Sequence, residues 1–117
     1  MKIGIDSVEI QRFDSQSKSF YEKIFTIDEQ LYIQEKNNEL QTIAGIYAVK
    51  EAILKALGVG IFKGVPFIDI NIKHYENGQP YAVLYRAALI EMQKYGECLE
   101  ISITHTHQIA SAVAIIH

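Results

Sequence analysis

Residues 41–57, QTIAGIYAVKEAILKAL, are the segment around which we expect the fold to be built. Apolar or long side chains recur there at three- and four-residue intervals, the spacing of one side of an α-helix: Ile43, Ile46, Tyr47, Lys50, Leu54 and Leu57. Gly58 follows at once, and glycine commonly ends a helix because it tolerates a left-handed backbone. We therefore predict that residues 41–57 form the strongest helix of the chain.

Shorter elements are predicted on both sides of this helix. Apolar and polar residues alternate over Ile3–Val8, which predicts a short strand with its polar residues on one side. Thr26 and Glu29 have the spacing of a capping box, which predicts that a second helix begins there. Asn77-Gly78 is a turn signal of β-hairpins. The remaining predicted elements are strands over Phe67–Lys73 and Pro80–Leu84, a helix over Ala87–Tyr95 closed by Gly96, and strands near Leu99–His105 and Ile109–Ile116.

The composition predicts one globular domain and excludes several protein classes. The 117 residues are 49% hydrophobic, and the elements predict a single α+β domain over residues 1–117, with a small, mostly antiparallel sheet packed on the long helix and shorter helices beside it. The net charge is −3, so the chain lacks the basic surface of a nucleic-acid-binding protein. No stretch reaches the ~18 apolar residues of a membrane span. The single Cys98 cannot form an internal disulfide, so we expect a cytoplasmic protein without membrane association.

Taken singly, the acidic residues that could carry chemistry have ordinary explanations. Glu51 and Lys55 lie four apart on one helix face, where an exposed ion pair explains them. Asp6 and Glu9 lie in the opening strand or at its end, where a carboxylate commonly caps a turn or faces water. Two or three such carboxylates can hold Mg²⁺, but spacing alone gives no reason to bring Asp6 near Glu51. Small residues on or beside the Glu51 face would let another backbone or a ligand approach closely: Ala44, Ala48 and Ala52.

The histidines do not indicate a metal site by themselves. His105 continues the face of a predicted strand that carries Ile101 and Ile103, so we interpret it as a core or rim residue, with Thr104 and Thr106 on the other face. His107 lies in a turn and His117 at the end of the chain, where solvation is expected, and His74 has no stronger claim to a role. No pair of histidines and cysteines has the spacing of a zinc site.

Five motifs follow one another in the order and at the spacing of a known family. Residues 4–12, GIDSVEIQR, are similar to its opening Gly-x-Asp-x-x-Glu-x-x-Arg, and residues 50–58, KEAILKALG, to its Lys-Glu-Ala-x-x-Lys-Ala-x-Gly helix. The other three are Phe67-x-Asp69-Ile70, Asn77-Gly78-Gln79-Pro80-Tyr81 and Ser102-Ile103-Thr104-His105-Thr106. Over nearly the whole chain, the sequence resembles the holo-acyl-carrier-protein synthase family, the small homotrimeric 4′-phosphopantetheinyl transferases.

The resemblance implies a reaction and the residues that carry it. The 4′-phosphopantetheine group of coenzyme A would pass to a serine of an apo acyl carrier protein, leaving adenosine 3′,5′-bisphosphate. Asp6 and Glu51 match the carboxylates that hold Mg²⁺ against the pyrophosphate, where the metal stabilises developing charge. Glu51, directly or through a water on the metal, would take the serine proton. Lys55 matches a lysine near the phosphates and would stabilise the departing phosphate.

The resemblance also implies how substrates and subunits come together. His105, Thr104 and Thr106 match a segment near the nucleotide, and the hairpin turn would frame the adenine through Asn77, Gly78 and Pro80. Family members form homotrimers whose active sites lie between subunits. The match to the basic region that docks the acidic carrier protein consists of Arg12, Lys18 and Lys23, where opposite charges would mainly speed encounter.

One departure from the family pattern leaves alternatives open. The family commonly has arginine in Ala-Gly-Arg followed by Phe or Trp, whereas here Ile46 and Tyr47 follow Gly45. If that arginine binds a coenzyme A phosphate, its loss would cost ~1.5–3 kcal/mol, and we expect Lys50, Lys63 or a neighbouring subunit to compensate. An active transferase is the leading hypothesis. The alternatives are a catalytically weakened relative that binds coenzyme A or carrier protein without efficient transfer, and a metal-dependent phosphohydrolase that uses water as acceptor.

Overall fold

The computed structural model describes residues 1–59 and 64–117. Its strands and α-helices, in chain order, are β1 (Lys2–Glu9), α1 (Lys18–Ile24), α2 (Ile27–Glu35), α3 (Leu40–Ala56), β2 (Ile70–His74), β3 (Pro80–Leu84), α4 (Arg86–Gln93), β4 (Leu99–His105) and β5 (Ile109–Ile116). Short 3₁₀ segments over Ile10–Ser15 and Phe67–Asp69 precede α1 and β2. Of the helices in this part of the chain, none is long and apolar enough to cross a membrane.

The strands form two antiparallel sheets, whereas the sequence predicted one small sheet. The first has the order β1-β5-β4, and the second is the hairpin β2-β3. The predicted turn closes this hairpin, and Gly78 adopts the left-handed conformation there, with φ of 90°. The predicted strands near Leu99–His105 and Ile109–Ile116 are confirmed, and the predicted helix over residues 41–57 is α3.

The predicted strand over Phe67–Lys73 is wrong in its first three residues, which form a 3₁₀ turn. The buried carboxylate of Asp69 accepts hydrogen bonds from Arg86 Nε at 2.9 Å and from the Ala87 backbone nitrogen at 3.1 Å. Asp69 is thereby directed to the start of α4 instead of a neighbouring strand. Strand β2 begins only at the next residue, Ile70.

Helix α3 lies across one face of the three-stranded sheet and supplies much of the core. Every residue from Ile43 to Lys50 is buried. Facing it, β5 alternates small buried residues with half-buried ones, and the small ones are Ala110, Ala112 and Ala114. Small side chains on the strand let the helix pack closely while its own larger side chains fill the space between them. Gly58, at φ of 73°, follows the helix as the sequence predicted.

A buried ion pair ties α2, α3 and β2 together. The predicted capping box is confirmed, because Thr26 and Glu29 exchange side-chain to backbone hydrogen bonds. The carboxylate of Glu29, fully buried, also accepts from Lys50 Nζ at 2.7 Å and from the Ile72 backbone nitrogen at 2.7 Å. Burial lowers the pKa of Lys50, and the charge of Glu29 opposes that shift. Lys50 also donates to the Ile24 carbonyl at 2.7 Å, so this lysine is fully engaged in the core.

The face of the three-stranded sheet that points away from α3 carries exposed apolar residues. Strand alternation places Gly4, Asp6 and Val8 toward α3, whereas Ile3 and Ile5 point outward and are 61% and 65% exposed. We call this surface the open sheet face. Its members on the three strands are Ile3, Ile5, Ser7, Ser102, Thr104, Ser111 and Val113.

Candidate active site

Strand β1 and helix α3 approach each other backbone to backbone at Gly4. A Cβ atom at this position would lie 1.8 Å from the Ala52 carbonyl oxygen and 2.6 Å from the Ala56 backbone nitrogen. Only glycine therefore allows this approach, and the small residues predicted on this side of α3 receive it. Asp6 is two residues beyond Gly4 on the same strand face, and Glu51 directly precedes Ala52. The contact thus brings together two carboxylates that are 45 positions apart in the chain.

Asp6, Glu51 and Lys55 meet at this crossing. Lys55 Nζ donates to Asp6 Oδ1 at 2.9 Å and to the Ile5 carbonyl at 3.1 Å. Asp6 Oδ2 and Glu51 Oε1 are buried, and no described residue forms a hydrogen bond with either oxygen. An unpaired buried carboxylate oxygen is unfavourable. Two of them at one site are the donor set expected for a bound cation.

The electrostatics of the site centre on Glu51. Burial, followed by the negative charge of Asp6, raises the pKa of Glu51 above its ordinary value. Tyr47, Lys55 and Arg12 act in the opposite direction. A second carboxylate nearby disfavours ionisation of the first, and a cation between them would remove that repulsion. The pair is therefore under electrostatic stress that binding of a divalent ion would relieve.

Tyr47 is a residue of this site that the sequence analysis did not identify. It precedes Glu51 by one helical turn, and Arg12 Nη2 donates to its hydroxyl oxygen at 3.3 Å. Burial, then the charge of Glu51, raises the pKa of Tyr47. The Arg12 guanidinium also lies over the Tyr47 ring, 5.0 Å from its centroid. The signal that could have found it is the replacement of the family's Phe or Trp by a tyrosine, which adds a hydroxyl four residues before Glu51.

Glu9 does not join the acidic site. It is an odd-numbered residue of β1, so its side chain points away from α3, opposite to Asp6. Within residues 1–59 and 64–117, no group of three or more His, Cys, Asp or Glu side chains could hold a metal ion. The site therefore offers two carboxylates, and Mg²⁺ commonly takes one or two together with water and substrate phosphates.

Apart from the acidic site, a cavity of about 230 Å³ lies between the hairpin, β4 and the first turns of α3. It brings together three of the residues that the resemblance placed near the nucleotide: His105, Gly78 and Pro80. Ile46 lines the same cavity, so the position of the absent family arginine faces this space. We call it the nucleotide cavity. Its other walls are Tyr32, Gln41, Thr42, Gly45, His74 and Ile103.

The other three predicted nucleotide residues do not line this cavity. Asn77 Oδ1 accepts a hydrogen bond from the Gln79 backbone nitrogen at 2.9 Å, inside the hairpin turn. Thr104 lies on the open sheet face, and Thr106 Oγ1 accepts from the backbone nitrogens of Gln108 and Ile109, which closes the β4–β5 turn. The predicted alternation along β4 is confirmed for Thr104, which lies on the face opposite to His105, whereas Thr106 follows the end of the strand.

The expected compensation by Lys50 is wrong. Its ammonium is fully buried and bound to Glu29 and the Ile24 carbonyl, on the core side of α3, where no phosphate can reach it. Lys63 lies outside the described residues. Lys63 and a neighbouring subunit stay as the other groups predicted to replace the family arginine.

The acidic site and the nucleotide cavity lie on opposite sides of α3. A helix turns about 100° per residue, so the stripe of Gly45 and Ile46 faces away from the stripe of Glu51 and Lys55. Contacts agree with this, since a Cβ at Gly45 would meet Ile103 of β4. One subunit thus presents two separate half-sites, with the body of α3 between them.

The predicted docking residues differ in their surroundings. Lys18 and Lys23 lie on the exposed surface of α1, and Lys18 forms a weak exposed ion pair with Glu22 at 3.8 Å. Arg12 is held against Tyr47, next to the acidic site. The basic residues therefore run from α1 toward the two carboxylates.

Comparison with known proteins identifies relatives over the full chain. A family model described as the 4′-phosphopantetheinyl transferase superfamily matches residues 2–112. The chain is 37% identical to the holo-[acyl-carrier-protein] synthase of Verminephrobacter eiseniae over 99% of its own length and 92% of the relative's. It is 43% identical to the protein of the same name from Caldicellulosiruptor saccharolyticus, over 97% and 93% of the two lengths.

Solved structures agree with the α+β fold predicted from sequence. The Helicobacter pylori holo-[acyl-carrier-protein] synthase in complex with coenzyme A superposes with a TM-score of 0.84 at 33% identity, covering 98% of this chain and 99% of the other. The Bacillus anthracis synthase in complex with CoA (3′,5′-ADP) gives a TM-score of 0.80 at 30% identity, covering 97% and 92%.

Proposed function

The chain belongs to the 4′-phosphopantetheinyl transferase superfamily, and we propose that it is a holo-[acyl-carrier-protein] synthase. It transfers the 4′-phosphopantetheine group of coenzyme A to a serine of an apo acyl carrier protein. The serine oxygen forms a bond to the β-phosphorus as the bond to the bridging oxygen breaks, and adenosine 3′,5′-bisphosphate leaves. Relatives of this name span nearly the whole chain, and two similar structures bind coenzyme A or its nucleotide.

The observation that carries this proposal is a pair of buried oxygens, Asp6 Oδ2 and Glu51 Oε1, that have no hydrogen-bond partner within residues 1–59 and 64–117. They come from different elements, and a glycine contact that tolerates no side chain holds those elements together. Nothing in the packing of β1 on α3 requires two acidic groups at this point. A bound cation accounts for them, because it would pair with the two oxygens that Lys55, bound to Asp6 Oδ1, leaves without a partner among the described residues.

We propose that Asp6 and Glu51 hold Mg²⁺ at this site. When bound, the ion would stabilise negative charge on the pyrophosphate of coenzyme A. Glu51 is the group suited to accept the serine proton, because Asp6, the other carboxylate of the pair, already accepts a hydrogen bond from Lys55. Lys55, with its side chain about half exposed and bound to Asp6, is able to turn toward a departing phosphate. Asp6 orients Lys55 in the absence of substrate.

We propose that the complete site forms between subunits of a homotrimer. The pyrophosphate and the 3′-phosphate of coenzyme A are joined through one ribose, whereas the two half-sites of one subunit are separated by a helix about 10 Å wide. A neighbouring subunit that brings its nucleotide cavity to the acidic site would resolve this. The open sheet face, with Ile3 and Ile5 exposed, is the surface that such an assembly would cover.

We propose that the carrier protein docks on Arg12, Lys18 and Lys23. We also propose that the reaction takes place in the cytoplasm. An acidic partner that binds α1 would enter beside Arg12 and bring its serine toward Glu51. Because Arg12 also contacts Tyr47, its loss would affect both docking and the surroundings of Glu51. Loss of Lys18 or Lys23, which are exposed, would affect encounter with the carrier more than chemistry.

One assay tests this function. The protein is incubated with coenzyme A, Mg²⁺ and an apo carrier protein, and the carrier is weighed by mass spectrometry. We expect a phosphopantetheine adduct that Glu51→Ala abolishes. Glu97→Ala is the matched control, because Glu97 is an exposed carboxylate outside both half-sites and should leave transfer unchanged.

The same assay distinguishes the two alternatives. Binding of coenzyme A without an adduct on several carrier proteins would identify a weakened relative. Release of nucleotide without any carrier protein would identify a phosphohydrolase. Size-exclusion chromatography with light scattering tests the trimer separately, and a monomer with full activity would overturn a site shared between subunits.

A further inference from the structure

His74, to which the sequence analysis gave no role, is rigidly held at the nucleotide cavity. Its ring stacks on Tyr32 with centroids 3.7 Å apart and planes 3° from parallel. The two residues come from β2 and α2, so the stack fixes the imidazole between elements far apart in sequence. The stacked pair of Tyr32 and His74 lies between the nucleotide cavity and a neighbouring cavity of about 500 Å³, and both residues line both cavities.

The two ring nitrogens of His74 differ in their surroundings. Nδ1 is buried and has no hydrogen-bond partner among the described residues. An N–H at that atom would be buried without an acceptor, so the neutral ring favours its proton on Nε2. Nε2 is not among the buried unpaired atoms, which leaves it accessible from the cavities. His74 therefore presents a fixed N–H donor to a ligand.

The phosphates of coenzyme A divide between the two half-sites. The pyrophosphate is assigned to Asp6, Glu51 and Lys55, which leaves the 3′-phosphate for the nucleotide cavity. That cavity has isoleucine where the family pattern has arginine, and Lys50 is sealed in the core. Among the described residues that line it, His74 and His105 are the only ones able to carry positive charge.

We propose that His74 binds the 3′-phosphate of coenzyme A and thereby replaces the arginine absent at Ile46. This inference rests on the proposed function, because coenzyme A must be the substrate. Burial and then the charge of Lys36 lower the pKa of His74, which favours the neutral ring with its proton on Nε2. That N–H would donate to an ionised phosphate oxygen, and a hydrogen bond to a charged acceptor is stronger than one between neutral groups. His74 is thus a specificity residue for the 3′-phosphorylated nucleotide.

The test compares coenzyme A with dephospho-coenzyme A, which lacks only the 3′-phosphate. We expect His74→Phe, which keeps a flat ring for the stack on Tyr32, to raise KM for coenzyme A about ten- to a hundred-fold. kcat should stay near the wild-type value, and KM for dephospho-coenzyme A should not change. His74→Gln restores an N–H donor and should recover part of the loss. His107→Phe, at an exposed histidine outside the cavity, is the matched control and should behave as wild type.

A binding measurement separates this proposal from the proposed function. Calorimetry with adenosine 3′,5′-bisphosphate and with AMP should show that His74→Phe weakens only the former. Equal KM values for coenzyme A in wild type and His74→Phe, or equal losses with and without the 3′-phosphate, would overturn the role of His74. If the wild type transfers nothing, and His74→Phe still binds adenosine 3′,5′-bisphosphate more weakly than the wild type, the transferase function is wrong while the binding role of His74 stands.

Discussion

Gly4→Ala is the substitution that tests most directly how the acidic site is built. The added Cβ would lie 1.8 Å from the Ala52 carbonyl oxygen, whereas real Cβ contacts essentially never fall under 3.0 Å. The strand and helix backbones must therefore separate by at least about 1.2 Å at this point. The opposing atom is backbone, so no change of side-chain rotamer can relieve the clash.

Gly4→Ala should lower both the free energy of unfolding and kcat, and the two losses can be measured separately. Overpacking of a core typically costs about 1–3 kcal/mol and sometimes more, and a clash with backbone belongs at the upper end, so we expect a loss of about 3 kcal/mol. Asp6 moves with β1, and a displacement of about 1 Å in a catalytic group costs roughly 100-fold in rate. kcat should therefore fall by about that factor under conditions in which the variant remains folded.

Guanidinium unfolding of the metal-free protein measures the first loss, and the transfer assay at low temperature measures the second. Gly45→Ala is the matched control for stability. There the new Cβ meets only the Ile103 Cγ2 atom, at 3.1 Å, which is able to move, and the change gains about 1 kcal/mol of helix propensity. Its stability should stay within about 1 kcal/mol of wild type. Gly4→Ala with wild-type stability and wild-type kcat would refute the argument that this contact positions Asp6.

Three further predictions concern the carboxylates and the core. Without metal, Glu51→Gln should have a higher Tm than wild type near neutral pH, because the raised pKa of Glu51 makes its ionised form unfavourable in the folded protein. This gain in Tm should disappear as pH falls below the ordinary pKa of 4.5, where Glu51 of the wild type is protonated. Mg²⁺ should no longer raise the Tm of the variant. Lys50→Met should cost about 3–5 kcal/mol because it leaves the Glu29 carboxylate buried without its cation, and adding Glu29→Gln should recover part of that loss in denaturant unfolding. Thr26→Ala should cost about 1–2 kcal/mol by removing the capping hydroxyl of α2, with no change in KM for coenzyme A.

Local pattern was enough to predict most secondary structure. The alternation over Leu99–His105 and the helical spacing over residues 41–57 predict a strand and a helix whose bounds agree with the structure to within a residue. Both patterns are clear because each element packs one side against the same core. Phe67–Asp69 was misassigned because alternation is the same whether a polar residue faces water or a helix end. The buried bond of Asp69 to the start of α4 is a tertiary contact that no local pattern contains.

Some residues of the candidate site could be predicted from the sequence, and others are evident only from the structure. The motifs, through family resemblance, predicted Asp6, Glu51, Lys55 and His105 as functional residues. Glu9 fits the same motif but lies on the other face of β1, and Tyr47 entered the site only once α3 had been placed against Arg12. His74 gave no sequence signal, since its role depends on the stack with Tyr32 and on which cavity it lines.

Helical and strand periodicities and short motifs are properties of neighbours in the chain, so most of the elements, the family and the acidic residues could be predicted from the sequence. Only the tertiary structure decided which of those residues meet. Gly4 lets β1 lie against Ala52, and that backbone contact turns two separate carboxylates into one site. The opposite placement of Glu51 and Ile46 around α3 likewise keeps the acidic site and the nucleotide cavity apart, which is a consequence of helix geometry and packing together.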